Sequence, residues 1–398
     1  MNQLNNRIVI IDALRGFALA GVALAHITEQ YIAGPPPEGF MEGINSLPDN
    51  ILMGILGFFI SGKFFALFSI LFGLSFSIQM DSAAKRGEDF SLRFLWRAVL
   101  LFGIGYVHQL FYRGDILTIY AVLVPFLIPF HKLSNKWILG FAAIFFLSLP
   151  RFIAFAITGN NNLFGLPDGF QNPLETAYFE ALQSGTLLEV FEQNAVYGMK
   201  TKMNFQLLIF GRFYYTFGYF LLGLWLGKIG FFRDIKKFDP YFQKVVIWTL
   251  GILVSGFLLT GASFATAPQP VDFSHWQHIL GINFFDWVNL TMTILIILVF
   301  VFLYQKEEWQ RRLMFFAPYG RMALTNYILQ SIIGTLIFFG WGLGLIGQLR
   351  GIYLVLIGIT IITLQTYFSK YWLQHFKYGP LEWLWRSGTY LKWQKFKK

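Results

Sequence analysis

The sequence predicts an all-α protein that crosses a membrane about ten times, with both termini in the cytoplasm. Three observations support this fold class. Hydrophobic residues make up 56% of the 398 residues and charged residues only 13%, which is typical of polytopic membrane proteins. The apolar residues fall into stretches of about 20, the length that crosses the hydrocarbon core of a bilayer. Lys and Arg are concentrated in every second connection, as the positive-inside rule requires.

Ten stretches are apolar enough to be spans. With a cytoplasmic amino terminus, the inner connections carry most of the Lys and Arg residues, and the outer connections carry few. An even number of spans also places the basic carboxyl-terminal tail inside. The predicted spans are residues 8–29, 51–80, 94–112, 115–130, 137–157, 206–228, 242–263, 283–304, 319–340 and 350–370.

The connections predict a simple domain organisation. Residues 1–370 form one transmembrane domain, and residues 371–398 form a basic, aromatic tail at the membrane interface. The connection at about 158–205 is long, and its apolar spacing predicts an amphipathic helix pair over the outer face. The net charge of +10 therefore indicates membrane lipids as partners, not nucleic acid. A homo-oligomer is compatible with the sequence.

Two kinds of site are not expected. The chain has no cysteine, which excludes disulfides, thiolate catalysis and Cys-based metal centres. His275 and His278 have near-helical spacing, but no acidic third ligand lies nearby. No metal site is therefore expected.

The first apolar stretch carries Asp12, Arg15 and His26. On a helix these residues share one face, with Arg15 and His26 about 16 Å apart along the axis. In one interpretation, Asp12 and Arg15 neutralise each other and anchor the helix at the headgroups. In another, the face is functional, because ionisable residues inside a membrane mark sites or substrate paths. A cleavable signal segment is a weaker third interpretation, since the charges interrupt the apolar core that it needs.

Other polar residues lie at membrane depth. Lys63 falls near the middle of the second stretch, where an ammonium group requires a partner. Asp115 begins the fourth stretch, and either caps that helix or pairs with Lys63, His108 or His26. Of these, Lys63 is the pairing that we expect.

Two further groups have alternative roles. Arg15, Arg97 and Arg321 all enter from the cytoplasmic side, where they either cradle phosphates or extend to lipid headgroups. Asn326 and Gln330 lie one turn apart, either joining helices or, with Tyr120, lining a substrate path.

Five blocks in this order resemble the YeiB-like family, domain of unknown function 418, over the whole chain. They are Asp12-Ala13-Leu14-Arg15-Gly16-Phe17-Ala18, the block from Gly62-Lys63-Phe64-Phe65 to Leu71-Phe72-Gly73, Gly114-Asp115-Ile116-Leu117 with Tyr120-Ala121, the block Gly320 to Gln330, and Gly379-Pro380-Leu381-Glu382-Trp383-Leu384-Trp385-Arg386.

The first helix of that family is similar to the transmembrane acyltransferase superfamily, which includes the acyltransferase 3 proteins and heparan-alpha-glucosaminide N-acetyltransferase. This resemblance implies acyl transfer from cytoplasmic acyl-CoA, with acetyl-CoA the expected donor, across the bacterial cell membrane. The acceptor would be a glycan or a small hydroxyl or amine compound. In the acyltransferase 3 branch, an Arg and a His with ten residues between them serve the donor and the chemistry. Arg15 and His26 meet this spacing, but later motifs of that branch have no clear match.

The resemblance and the residues together give a set of expected roles. His26 is the expected base, with Asp115 or Glu29 orienting its ring, and transfer is either direct or through an acyl-His intermediate. The candidate catalytic residues are His26, Asp115, His108 and Lys63, and the candidate donor-binding residues are Arg15, Arg97, Arg321 and Asp12. A transporter that uses Lys63, Asp115 and the histidines as a proton relay, or a non-catalytic scaffold, are the alternatives.

Overall fold

The computed structural model describes residues 8–34, 36–37, 39–159, 173–208, 210–269, 271 and 273–398. Of these described residues, 77% are helical and none forms a strand, so the predicted all-α class is confirmed. The helices are α1 (Val9–Thr28), α2 (Leu47–Ile60), α3 (Lys63–Ala84), α4 (Ser91–Phe111), α5 (Leu117–Phe130), α6 (Asn135–Phe146), α7 (Leu149–Thr158), α8 (Pro173–Ser184), α9 (Leu187–Ala195), α10 (Tyr197–Leu207), α11 (Arg212–Lys228), α12 (Asp239–Ala265), α13 (Trp276–Tyr304), α14 (Glu307–Leu313), α15 (Ala317–Arg321), α16 (Ala323–Phe338), α17 (Gly351–His375) and α18 (Pro380–Tyr390), with short 3₁₀ helices at Ile235–Phe238 and Met314–Phe316.

Several of these helices are long and apolar enough to cross a membrane. Within the described residues there are six such segments, or up to eight if each of two bent helix pairs is one span. The bent pairs are α6 with α7, at 43°, and α10 with α11, at 60°. Two shorter apolar helices, α5 and α16, have 14 and 16 residues. Each predicted span overlaps one of these segments.

Three of the predicted spans are interrupted where the backbone is left-handed. Gly62 (φ +82°) separates α2 from α3, Ser148 (φ +58°) precedes α7, and Gly211 (φ +52°) precedes α11. Such a residue cannot continue a right-handed helix. Non-helical backbone is tolerated at membrane depth only where protein surrounds it, so these breaks belong inside the bundle.

Helix α1 lies at the centre of the bundle. In the most apolar part of α1, 67% of the residues are buried, whereas only 11% are buried in the most apolar part of the segment that contains α12. Its backbone touches that of α15: a Cβ on Gly16 would lie 2.0 Å from the Phe316 oxygen, and one on Gly320 would lie 2.0 Å from the Asp12 oxygen. Only glycine permits this approach, so the two glycines set the distance between the helices.

One end of the bundle, which we call the His26 end, gathers the end of α1 and the starts of α5 and α17. Arg350, before α17, donates from Nε to the Asp49 carboxylate of α2 at 2.9 Å. Helices α8 and α9 fall in the predicted 158–205 connection and pack on this end through Tyr178 and Leu182. Residues 160–172 of that connection lie outside the described residues.

The opposite end carries α18 and the ends of α3, α5 and α11. Lys228 donates to the carbonyl oxygens of His131 and Leu133, at 2.9 and 2.6 Å. In the predicted tail, residues 371–375 continue α17, and α18 packs on α4, where Trp385 Nε1 donates to the Arg97 oxygen at 2.9 Å.

The contact between α1 and α15 gives a test of the packing. We expect Gly16→Ala to lower the thermal midpoint of unfolding in detergent, because overpacking typically costs about 1–3 kcal/mol. Gly103→Ala on α4 is the matched control, since nothing lies within 4 Å of its Cβ position. Alanine is the better helix former, so this control should be neutral or stabilising. Equal effects of the two substitutions would contradict the packing described.

Candidate functional site

The candidate site begins with His26, on the last turn of α1 at the His26 end. Its ring is half-buried and faces three tyrosines, with ring centroids 5.0 Å from Tyr112, 5.6 Å from Tyr31 and 6.3 Å from Tyr327. His26 Nδ1 is buried and has no hydrogen-bond partner among the described residues. Among the described residues, therefore, no carboxylate orients this ring through Nδ1.

The second imidazole of the site, His108, is oriented by Asp115. His108 Nδ1 donates to Asp115 Oδ1 at 2.8 Å, and both side chains are fully buried. The other ring nitrogen, Nε2, is buried without a hydrogen-bond partner in the described part of the chain. An imidazole held by a carboxylate at one nitrogen, with the other nitrogen unused, has the arrangement of an oriented base.

Asp115 also caps α5, so its two predicted roles occur together. Its carboxylate accepts hydrogen bonds from the backbone N–H groups of Leu117, at 3.1 Å, and Thr118, at 2.9 Å. The short link between α4 and α5 turns the carboxylate back towards His108 on the preceding turn. The capping interpretation and the His108 pairing are both confirmed in geometry.

The cation beside Asp115 is Lys202 of α10, not Lys63. Lys202 Nζ donates to Gln109 Oε1 at 2.6 Å and Thr118 Oγ1 at 2.7 Å, and lies 3.4 Å from Asp115 Oδ2. The predicted pair of Lys63 with Asp115 is therefore wrong. Membrane depth alone made Lys63 the expected partner, whereas Lys202 falls in a stretch that the sequence predicts as an outer loop. Its only signal there was that Lys200 and Lys202 are the two basic residues of an otherwise acidic connection.

Two tyrosines bridge the two imidazoles. The Tyr327 ring lies 4.8 Å from that of His108, and the Tyr112 ring lies 6.3 Å from it. Both rings also face His26, as described above. The tyrosines carry hydroxyls into a largely apolar surrounding, and Tyr327 accepts a hydrogen bond from the Ile116 N–H at 3.4 Å. The sequence analysis did not identify either tyrosine as a site residue.

The predicted donor-binding residues lie towards the other end of α1. Arg15 donates to Asp12 Oδ1 at 3.2 Å and Ser75 Oγ at 2.9 Å, which matches the anchoring interpretation of this pair. Arg321 ends α15, the helix whose backbone touches α1. Arg97 stacks on Trp385 at 3.7 Å, and so lies against α18. The structure brings the first two arginines onto touching helices and directs the third to the carboxyl-terminal helix.

The three predicted lining residues make contacts between helices. Tyr120 and Ser69 share a hydrogen bond of 2.7 Å. Asn326 donates to Ser369 Oγ at 2.9 Å, and Gln330 Oε1 accepts from Tyr319 at 3.1 Å. These contacts match the interpretation that the amides join helices, and a lining role stays a prediction. No group of three His, Asp or Glu side chains in the described ranges is placed to hold a metal ion.

The comparisons with known proteins identify the family. The family model described as "Protein of unknown function (DUF418)" matches residues 226–392. A Bacillus subtilis (strain 168) protein described as "Uncharacterized protein YxaH" is 31% identical over 412 residues, covering 99% of this chain and 97% of that protein. The chain belongs to the DUF418 family. The resemblance to the YeiB-like family is thereby confirmed.

Two other relatives match this DUF418 family member. A Bacillus acidopullulyticus protein described as "Uncharacterized 39.9 kDa protein in amylase 3'region" is 27% identical over 398 residues, covering 97% of this chain and 95% of that protein. An Escherichia coli (strain K12) protein described as "Uncharacterized protein YeiB" is 44% identical over 70 residues, 18% of each chain. The family model covers Arg321, Asn326 and Gln330, and the two imidazoles of the site precede it.

The pairing of Asp115 with Lys202 predicts energetic coupling. Removing one member of a buried ion pair leaves an uncompensated charge, which typically costs about 3–5 kcal/mol. We expect Lys202→Met and Asp115→Asn each to destabilise the protein. The double variant should lose less than the sum, with a coupling of about 1–3 kcal/mol in a detergent unfolding assay.

The matched control is the cycle of Lys63→Met with Asp115→Asn. Its effects should add within about 0.5 kcal/mol, as expected for residues without a shared contact. Coupling in the Lys63 cycle together with additivity in the Lys202 cycle would reverse the assignment of the pair.

Proposed function

We propose that the protein is an acyltransferase of the bacterial cell membrane, with ten spans and both termini in the cytoplasm. It moves an acyl group from cytoplasmic acyl-CoA to a hydroxyl or amine acceptor on the other side. The location and the topology are supported by the ten apolar segments, by the distribution of Lys and Arg, and by the bacterial sources of the relatives.

The observation that carries the proposal is the pair of polar ends on α1. Arg15 lies near one end, and His26, beside the oriented His108, lies at the other. The separation is about 16 Å along the helix axis, most of which the pantetheine arm of a coenzyme A thioester spans. Arg15 and Arg321 hold the phosphates of the donor at the cytoplasmic mouth, because guanidinium groups bind phosphate in bidentate fashion. Arg97 stacks on the ring of Trp385 in α18, so it reaches the donor phosphates only if α18 moves away.

The chemistry then needs only one imidazole and no cysteine. The acceptor oxygen or nitrogen attacks the thioester carbonyl carbon while an imidazole takes the acceptor proton. The carbon–sulfur bond of the resulting tetrahedral intermediate breaks, and the imidazolium returns the proton to the leaving thiolate of coenzyme A. We assign His26 as the base, because its ring is less buried than that of His108. His108, with Asp115, is the alternative base.

A transporter is the second candidate function, and one observation favours it. Arg151 and Asp286 form a buried ion pair of 2.6 Å, and Arg212 lies 3.7 Å from the same carboxylate. Buried charges in a membrane commonly mark a path for ions or polar solutes. Solute flux in proteoliposomes, in the absence of acyl-CoA, would favour this function over acyl transfer.

The topology is tested by cysteine labelling, because the native chain has no thiol. With ten spans, Lys85→Cys and Lys395→Cys should react with a membrane-impermeant maleimide only after the cells are opened. Glu42→Cys, in the connection between α1 and α2, is the control and should react in intact cells. Labelling of position 85 or 395 from outside would overturn the proposed topology.

The assignment of His26 is tested by transfer from labelled acetyl-CoA in membranes that contain the natural acceptors. We expect His26→Ala to lower transfer by about 10²-fold or more, because general base catalysis contributes that amount. Binding of acetyl-CoA, followed by thermal shift, should change little. His375→Ala, at an exposed histidine on α17, is the matched control and should retain activity.

Arg15→Ala should instead weaken acetyl-CoA binding, and more so at low salt, because phosphate contacts are screened by ions. Arg15→Lys, which keeps the charge, should retain part of the binding.

Full transfer by a protein without His26 would exclude it as the base and would favour His108.

A further inference from the structure

Lys63 lies buried at the break between α2 and α3, and no described carboxylate pairs with it. Its side chain is 0% exposed, and among the described residues Nζ has no hydrogen-bond partner. The rings of Phe58 and Phe285 face Nζ at 5.4 and 5.5 Å. Such cation–π contacts contribute about 0.5–2 kcal/mol, whereas burying an ammonium group costs several kcal/mol. The rings therefore compensate only part of this cost.

Asn289 of α13 adds unused hydrogen-bonding groups at the same break. Its side-chain amide lies 3.1 to 3.2 Å from the position that a Cβ on Gly62 would occupy. Asn289 is fully buried, and neither Oδ1 nor Nδ2 has a partner in the part of the chain that the structure describes. Buried amides without partners are rare, so this group is placed for something that the chain does not supply.

Two arginines extend the cluster along α7, α11 and α13. Arg151 donates to Asp286 at 2.6 Å, and Arg212 lies 3.7 Å from the other oxygen of that carboxylate. Arg151 Nε and Nη1 are buried and lack hydrogen-bond partners within the described ranges. Asp286 therefore satisfies only part of the donor capacity of the two guanidinium groups.

The three cations also lie at the starts of their helices, where positive charge is unfavourable. Lys63 and Arg212 are the first residues of α3 and α11, and Arg151 is the third residue of α7. The start of a helix carries a partial positive charge and stabilises anions there. Three cations at three helix starts thus add to the positive potential of the backbone instead of opposing it.

A charge count defines what would complete the cluster. Arg151 and Arg212 lie against the carboxylate of Asp286. Arg212 also interacts electrostatically with Lys63 and with Glu29, whose Oε1 accepts from Ser61 at 3.4 Å. Three positive and two negative formal charges leave one positive charge. Glu29 is exposed and Arg212 is half-buried, so a solute can approach from their side.

We infer that Lys63, Asn289, Arg151 and Arg212 form a binding site for a singly charged oxyanion, a carboxylate or a phosphodiester. On the proposed function, this oxyanion belongs to the acceptor. Glu29, which directly follows α1, lies three residues after His26 and accepts a hydrogen bond from Ser61 beside the cluster, so the site adjoins the assigned base. An acceptor anchored here by its acidic group places a hydroxyl or amine towards His26.

The test uses the purified full chain in non-ionic detergent, without acyl-CoA, so that its outcome is independent of acyl transfer. Sodium acetate and sodium dimethyl phosphate are titrated at constant ionic strength, with methyl acetate as the neutral control, and the thermal midpoint is followed. We expect a saturable rise with at least one of the two anions. A response to acetate alone identifies a carboxylate, and a response to dimethyl phosphate alone identifies a phosphodiester of the lipid headgroup type.

Variants separate the site from general salt effects. Lys63→Met and Asn289→Leu should each raise the half-saturating concentration about tenfold or more, the effect of losing a hydrogen bond to a charged group. Lys244→Met, at an exposed lysine on α12, should leave it unchanged. Without anion, Lys63→Met should be at least as stable as the native chain, because it removes an unpaired buried charge.

Three outcomes would overturn the proposal. These are the absence of a saturable response to either anion in the native chain, an equal response to methyl acetate, or an unchanged half-saturating concentration in both Lys63→Met and Asn289→Leu. Transfer to a neutral acceptor, together with the absence of anion binding, would leave the proposed function standing and remove this site alone.

Discussion

The carboxylate of Asp115 is the interaction on which the His26 end depends. It accepts hydrogen bonds from the first N–H groups of α5, orients His108, and neutralises Lys202 of α10. Inside a membrane no water replaces a lost partner, so each of these donors would otherwise carry a cost of several kcal/mol. One side chain therefore fixes the start of a helix, the direction of an imidazole and the docking of a segment 87 residues further along the chain.

The rest of the bundle is arranged so that this end meets α1. Glycine contacts between backbones hold α1 to α15, and similar contacts hold α3 to α11, where a Cβ on Gly73 would lie 2.1 Å from the Phe220 oxygen. Close backbone approach is the means by which membrane helices associate, since lipid offers no hydrophobic drive between them. Because α1 is held along its length, residues at its two ends keep a fixed separation, and on the proposed function the acyl donor requires this rigidity to reach from one end to the other.

The sequence predicted the helices well, because long apolar stretches and the period of the helix are local properties. The polar face of α1, the cap at Asp115 and the pairing of Asp115 with His108 were also accessible, since each depends on residues within a few turns. The partner of Asp115 was not, because Lys202 reaches it only after α10 folds back from a connection that the sequence predicts as a loop. The pairing of Arg151 with Asp286 was missed for the same reason, because the two residues are 135 positions apart. The break at Gly62 was missed because it falls inside a continuous apolar stretch.

The two polar clusters beside His26 differ in how far the chain satisfies them. Around Asp115, most donors and acceptors are matched, and the unused atoms among the described residues there are Nε2 of His108 and Nε2 of Gln109. Around Lys63, cations exceed carboxylates, and the Lys63 ammonium, the Asn289 amide and three guanidinium nitrogens have no hydrogen-bond partner in the described structure. A matched network is stable as it stands and serves to position groups, whereas an unmatched one destabilises the protein unless a ligand completes it. Glu29, three residues after His26, accepts from Ser61 at 3.4 Å next to the break at Gly62, so on the proposed function a ligand that completes the second cluster is held close to His26.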